Sequence, residues 1–482
     1  MSSETSIRQG VFITFIAKYS NIIIQLIINS ILARLLLPNE FGIITVITVF
    51  ITFFTILGDM GLGPAIIQNK DLNKDDISSI FIFSIFASII AGVLFYLFSY
   101  IIAYFYSDEI YIRLGAMLTF AVIFSILNIV PNAILSKNKD FKAIGVINVS
   151  SNLISGIITI VLAIKGFSYY ALVLNSIIRS LLLFTLSYIK CNIKIKKEFK
   201  FNSVMKIMNY SIYQFSFSVI NYFTRNLDNI LIGKFLGAGT LGYYDKAYKL
   251  MLYPIQNLTH VITPVLHPIL SEYQNEKDVI YNQYIKVIKL LSNIGIFISV
   301  YCFFTSKEAI RIMYGNNWDF SIPLFRILSI SIVIQMVLST IGSIFQATGY
   351  VNKLFSTGVI SAFFTITAIT IGIYSKSLYI LTIGIVISFV LNFIQSFYVL
   401  ITKVFKKSFI DFLKIFKNTV IIGIIMIVGY ILTRKLQIEN VIISAIFKLT
   451  IGIVFYGIGL IITGEYKLIL RNKYSIYKKK IS

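Results

Sequence analysis

The sequence is short of almost everything that water-exposed catalysis uses. Its 482 residues include two histidines, two cysteines and one tryptophan, and only 20 acidic residues against 43 basic ones. Cys191 and Cys302 provide no disulfide framework and no zinc spacing. With two histidines and no paired carboxylates outside apolar runs, there is no metal cluster and no nucleophile–base pair. A GxxxxGK[ST] phosphate loop is absent, which excludes ATP hydrolysis by that route. Charged residues make up 13%, about half of what a soluble domain carries, so no soluble domain can be cut out. The longest polar breaks are KCNIKIKKEFKFN near 191 and TSKEAIRIMYGNNWDF near 305. Neither is long enough to hold the acid/base residues of a membrane polymerase or glycosyltransferase. The expectation is a chain that is not an enzyme and needs no cofactor.

What fills the sequence is apolar. Hydrophobic residues make up 57% and the mean hydropathy is +0.84. Runs of about 20 apolar residues recur, each able to cross a ~30 Å hydrocarbon core as a helix. The pattern predicts an all-α polytopic membrane protein with fourteen spans, near 9–35, 41–67, 78–104, 113–135, 144–164, 169–189, 207–235, 241–270, 281–304, 321–347, 354–374, 378–402, 414–433 and 441–463. The first run is too long for a signal peptide and has no cleavage site, so it is read as a retained span. The net charge of +23 is discounted, because an Ile-, Lys- and Asn-rich chain carries lysine wherever it is tolerated. Placement says more than number. With a cytoplasmic N-terminus, 25 Lys and Arg fall in cytoplasmic segments and 7 in external ones. The positive-inside bias therefore puts both termini in the cytoplasm. The basic loops fit anionic lipid headgroups better than nucleic acid.

The chain also repeats itself. Residues 31–43, ILARLLLPNEFGI, match residues 231–243, LIGKFLGAGTLGY, at an offset of 200. Arg34 pairs with Lys234, Gly42 with Gly242, and Pro64 with Pro264. Because both halves begin on the same side, they read as parallel repeats. The expected organisation is a six-helix lobe over 1–190, a basic linker over 191–206 and a second six-helix lobe over 207–402. Two extra spans and a basic tail follow over 403–482. Pro64, Pro254, Pro264 and Pro268 are expected to break the second and eighth spans.

Eleven basic residues lie within spans, against three acids, Asp59, Asp228 and Asp245. A cation at mid-bilayer costs at least ~2.5 kcal/mol, so it normally faces a cavity or a partner. Lys286, Lys289, Arg34 and Lys234 sit near span ends and can snorkel. Arg179 and Arg326 lie several residues from any loop. Arg225 and Asp228 share a helical face, where a structural ion pair is the plain alternative. Span 8 opens YYDKAYKLMLYP, placing Lys246 and Lys249 among Tyr244, Tyr248 and Tyr253. His260 and His267 follow further down, where a satisfied buried imidazole is the commoner meaning. A surplus of buried cations calls for an anion, and arginine's fork suits phosphate. The expected anion site is thus Arg225, Arg179, Arg326, Lys18, Arg34, Lys234, Lys246 and Lys249, with the three tyrosines facing sugar rings. Asp228, Asp59, Asp245 and His260 are the candidates for ion coupling.

The segment ILARLLLPNEFGIITVITVFITFFTILGDMGLGPAIIQNKDL resembles the N-terminal signature of the Wzx-type oligosaccharide/polysaccharide flippases of the multidrug/oligosaccharidyl-lipid/polysaccharide (MOP) exporter superfamily. RNLDNILIGKFLGAGTLGYYDKAYKLMLYPIQNLTHVITPVLHPILSEYQNE is similar to that family's seventh and eighth spans. The resemblance spans most of 5–405. It implies a bacterial plasma-membrane protein, with two lobes facing one cavity, that moves an undecaprenyl-diphosphate-linked glycan to the outer leaflet by alternating access. It further implies coupling to an ion gradient and partners among polysaccharide-assembly proteins. The competing readings are a multidrug or metabolite exporter, which the excess of cations opposes, a polysaccharide polymerase, opposed by the short loops, and a scaffold, which would gain nothing from buried charge.

Overall fold

In the computed structural model, residues 3–467 are described except 70, 194, 196–198, 272, 275, 435 and 437. The side chains of 3–14, 206–214, 216–218, 220, 221, 224, 260–265 and 267–269 fall outside the described set. Every described element is helical, and the chain divides into two compact units, Met1–Gly242 and Tyr243–Ser482.

The first unit contains α1 (Ser3–Leu35), α2 (Pro38–Asp59), α3 (Leu62–Gln68), α4 (Lys74–Tyr106), α5 (Ile110–Leu127), α6 (Ile129–Lys137), α7 (Phe141–Ile164), α8 (Tyr169–Cys191) and α9 (Phe201–Phe235). α10 (Ala238–Ser271) begins in it. The second unit holds the rest of α10 and then α11 (Lys277–Phe304), α12 (Ser306–Tyr314), α13 (Ser321–Ser329), α14 (Ile332–Leu338), α15 (Ile341–Ala347), α16 (Val351–Tyr374), α17 (Leu378–Tyr398), α18 (Phe409–Lys414), α19 (Lys417–Leu432) and α20 (Val441–Thr463). The unit boundary falls after α9, which packs on α2, α3 and α4, and not at the basic linker.

Sequence-local rules explain many of the boundaries. α2 starts with Pro38 at its first position, where a missing N–H costs nothing, and the Glu40 carboxylate accepts the Leu37 N–H at 2.6 Å. It ends at Met60 and Gly61, both left-handed, and Asp59 accepts the Gly63 N–H at 3.1 Å to start α3. The break expected near Pro64 is therefore present, made by Met60 and Gly61, four and three residues before it. Pro254, Pro264 and Pro268 behave differently, because α10 runs unbroken from Ala238 to Ser271. Spanning helices tolerate proline where neighbouring groups satisfy the freed carbonyl.

α4 shows why the composition requires a membrane. Phe86, Ile89, Ile90, Val93, Leu94, Leu97, Ile101 and Tyr104 form an exposed apolar stripe along it. Ser84, Ser88, Ala91, Gly92 and Ser99 face inward, with the Ser84, Ser88 and Ser99 hydroxyls bonded to carbonyls of the preceding turn. Small residues inside and large apolar ones outside is the arrangement of helices packing in lipid. Among the described residues, eleven helices are long and apolar enough to cross a membrane. The α13/α14–α15 pair, bent by 51°, makes a twelfth. At this bend Ser329 and Ser331 turn their hydroxyls onto backbone carbonyls, and Ser299 donates to the Ser329 carbonyl at 2.7 Å. α9 and α10, at 35 and 34 residues, are long enough to cross, and many of their side chains lie outside the described residues over which these spans are counted.

The repeated segments meet. A Cβ built on Gly42 would lie 1.7 Å from the Ala238 carbonyl oxygen, and one on Gly242 would lie 2.0 Å from that of Pro38. Positions 38, 42, 238 and 242 are repeat mates at the 200-residue offset. The first turns of α2 and α10 thus cross backbone to backbone at two glycines, and Gly237, at φ +90°, turns the chain into α10.

Candidate cationic site in the first unit

The loops at 36–37, 107–109, 165–168 and 236–237 gather at one end of the first unit. Ser168 bonds Glu40 there, and Lys234 donates to the Phe105 carbonyl and lies 5.1 Å from the Phe105 ring. Arg34 curls back onto its own helix, reaching the Ser30 carbonyl at 2.8 Å. These two repeat-mate cations are therefore end residues, and Lys234 ties α9 to α4. Tyr106 donates to the Ile230 carbonyl at 3.0 Å and Phe53 packs on Phe223 at 4.8 Å, extending the same seam.

Deeper in the unit the cations have no such partners. Arg179 on α8 and Arg225 on α9 each lie about ten residues from this end, roughly 15 Å at 1.5 Å per residue. Lys18 on α1 lies at roughly 25 Å by the same rise. Arg179 and Arg225 thus fall at mid-membrane depth, and Lys18 toward the far side of a ~30 Å core. The Arg179 Nε is buried with no hydrogen-bond partner, and no ion pair reaches Arg179, Arg225 or Lys18 among the described residues. At a similar level, Asn152 of α7 donates to Asn21 of α1 at 2.9 Å, adding polar groups to the helix interior.

The acids do not neutralise these cations. Asp59 caps α3. Asp228 is buried and accepts the Asn229 N–H at 2.8 Å; among the described residues it forms no ion pair with Arg225, which is exposed. The expected Arg225–Asp228 couple is thus not assembled, because the two side chains leave the helix toward different surroundings. The His260 side chain lies outside the described residues.

The span 8 constellation sits in the second unit; Tyr244 and Lys246 are packed away, while Lys249 is exposed. Tyr244 is fully buried and stacks on Tyr248 at 5.6 Å. Lys246 is buried with its ammonium 5.2 Å from the Tyr314 ring and 5.7 Å from the Trp318 ring. Lys249 pairs with buried Asp245 at 2.8 Å, and the Tyr253 carbonyl accepts from Asn257. Tyr244 and Lys246 accordingly do not face an open site. The reason is the 305–320 segment, read from sequence as a loop, which folds into α12 and a 3₁₀ turn (Asn316–Trp318) and roofs Lys246 with two aromatic rings. Arg311 and Asp319 close this segment with a bidentate pair, which holds the Asp319 carboxyl below its ordinary value. Arg326, only five residues into α13, donates to Ser306 at 3.0 Å and lies 5.9 Å from the Phe303 ring.

Two buried acids escaped the sequence reading because they lie just beyond span ends. Glu308 of α12 accepts from Lys448 at 2.6 Å and from Ser444 at 2.8 Å, so Lys448 is a paired cation. The other is Glu465, after α20. Helical spacing gives no signal for Glu308, which lies on the side of α12 opposite Ser306, Ile310 and Tyr314. A concavity of 420 Å³ near Asn73, Asp76 and Lys200 lies at the other end of the first unit and contains none of the unpaired cations.

Residues 31–323 match the model of a family described as "Polysaccharide biosynthesis protein". The chain is 26% identical over 411 residues to the lipopolysaccharide biosynthesis protein WzxC of Escherichia coli (strain K12), covering 82% of each. It is 26% identical over 360 residues to the teichuronic acid biosynthesis protein TuaB of Bacillus subtilis (strain 168), covering 73% of this chain and 74% of that one. In structure it is similar to the lipid II flippase MurJ in an inward closed conformation, with a TM-score of 0.74 at 16% identity over 96% of this chain and all of that one. It is also similar to an inward-facing multidrug resistance MATE family transporter of the MOP superfamily, with a TM-score of 0.59 at 14% identity, covering 78% of this chain and 94% of that one. The fold is that of MOP transporters, and the chain is a multi-pass membrane protein.

Proposed function

The chain belongs to the polysaccharide biosynthesis protein family, and from that premise we propose that it is a flippase for a polyprenyl-diphosphate-linked oligosaccharide. The observation that carries this reading is the Arg179 guanidinium, at mid-membrane depth without a partner. Such a group is costly unless an anion comes to it, and a diphosphate offers the paired oxygens that an arginine fork accepts. Arg225 at comparable depth, and Lys18 about 10 Å deeper, extend the positive field along the first unit. The relatives named for lipopolysaccharide and teichuronic acid biosynthesis, and the lipid II flippase among the structural neighbours, support the same class of cargo. Export of a cationic drug is disfavoured, since Asp59 is committed to its cap and Asp245 to Lys249. The cargo would be carried by alternating access, with two parallel six-helix halves as the repeat suggests.

Purified protein in vesicles should move a diphosphate-linked oligosaccharide between leaflets, measured by its accessibility to an added glycosidase. Movement no faster than in protein-free vesicles would defeat the proposal. The orientation follows from the 25-to-7 charge distribution, with a plasma-membrane location and cytoplasmic termini. In a Cys191→Ser, Cys302→Ser background, Arg311→Cys should react with an impermeant thiol reagent on whole cells, and Lys139→Cys only after permeabilisation. The opposite result would invert the topology.

A further inference from the structure

Glu465 is 6% exposed, yet no cation pairs with it among the described residues. That is unusual in a chain with 43 basic residues and 20 acidic ones. Lys289, one turn before Asn293, and Lys417, beside Asn418, form no ion pair with it. Oxygen-bearing neutral side chains surround it instead. Asn418 donates to Oε1 at 2.7 Å and Asn293 to Oε2 at a long 3.4 Å. Thr419 donates to the Asn293 carboxamide oxygen at 2.9 Å and shares a 3.1 Å hydrogen bond with Ser292. These residues come from α11, α19 and the end of α20, all in the second unit. α20 stops at Gly464, φ +73°, so its C-terminal carbonyls add partial negative charge beside the carboxylate.

A buried carboxylate without a counter-charge is expensive, and amide donors only partly compensate it. We infer that Glu465, Asn293, Asn418, Thr419 and Ser292 form a binding site for a monovalent cation of sodium size. A single carboxylate sets the charge to be neutralised at one, whereas calcium sites draw on several. Potassium would call for a wider ring of carbonyls. Each carboxamide can turn its oxygen to the place where its nitrogen now sits, and both hydroxyls can accept as well as donate. The same five side chains thus satisfy one another when the site is empty and coordinate when it is filled. Occupancy would fasten α19 and α20 to α11. If the chain is a flippase as proposed above, this site is where a sodium gradient would act.

The test does not depend on transport. Full-length protein purified in detergent is melted in sodium, potassium and choline chloride at equal ionic strength. The midpoint should be several degrees higher in sodium and should climb with the logarithm of its concentration, as for a ligand bound only by the folded state. Glu465→Gln keeps the shape and one of the two hydrogen bonds while removing the charge, and should erase the sodium increment. Thr419→Val, a milder change, should raise the half-effective sodium concentration about tenfold, roughly the loss of one good contact. Equal melting in all three salts, or a sodium increment that survives Glu465→Gln, would overturn the site. Absence of flipping with the sodium effect intact would count against the flippase reading alone.

Discussion

Gly42→Ala is expected to reduce surface glycan at least tenfold in cells while the protein remains inserted and abundant. The argument is steric. The added Cβ would lie 1.7 Å from the Ala238 carbonyl oxygen and 2.4 Å from its carbon, and backbone cannot move aside as a side-chain tip can. Gly242→Ala meets the Pro38 carbonyl in the same way, at 2.0 Å. Overpacking of a tight contact costs roughly 1–3 kcal/mol, or about five- to 150-fold in the population of the state that has the contact. A transporter that must join and part these turns in each cycle stalls when joining is forbidden. The variants should accumulate with the two turns separated, seen as loss of crosslinking between cysteines placed at Pro38 and Ala238. Gly239→Ala is the control: its Cβ comes no nearer than 3.8 Å to anything, and export should be unchanged. Normal export by both Gly42→Ala and Gly242→Ala would show that the crossing is static packing.

Arg179→Gln is expected to lower export tenfold or more, again with normal abundance. Glutamine keeps polar reach but removes the charge, and a charge-assisted hydrogen bond to phosphate contributes about 1.5–3 kcal/mol. Arg179→Lys should recover only part of the activity, because a point charge replaces a two-pronged donor. Arg326→Gln should matter less, since Arg326 is already engaged with Ser306 near the end of α13. The informative comparison is therefore Arg179 against Arg326, measured as glycan per inserted protein. If Arg179→Gln exports normally, its buried guanidinium is a structural residue and the anion binds elsewhere.

Much of the fold was legible before any coordinates. Apolar runs of spanning length announced a polytopic helical protein, because backbone in lipid must satisfy its own hydrogen bonds. The break near Pro64 was legible as well, since proline punctuates a helix locally, although Met60 and Gly61 make it. The site was less legible. Arg179 stood out because it lies several residues from any loop, and in three dimensions its buried Nε has no hydrogen-bond partner. Lys448 is another of the eleven cations within spans, yet Glu308, 140 residues earlier, pairs with it. Tyr244 and Lys246 looked exposed on a polar helix until α12 covered them.

The sequence by itself determined the membrane, the helical class, the charge surplus and the 200-residue repeat, because these depend on composition and on spacing along one chain. Tertiary structure alone decided which cations are paired, which aromatics are roofed, and that Gly42 and Gly242 meet. Those facts depend on which helix lies beside which. A polar side chain's partner in a helical membrane protein is usually on another helix, at a distance along the chain that no periodicity encodes.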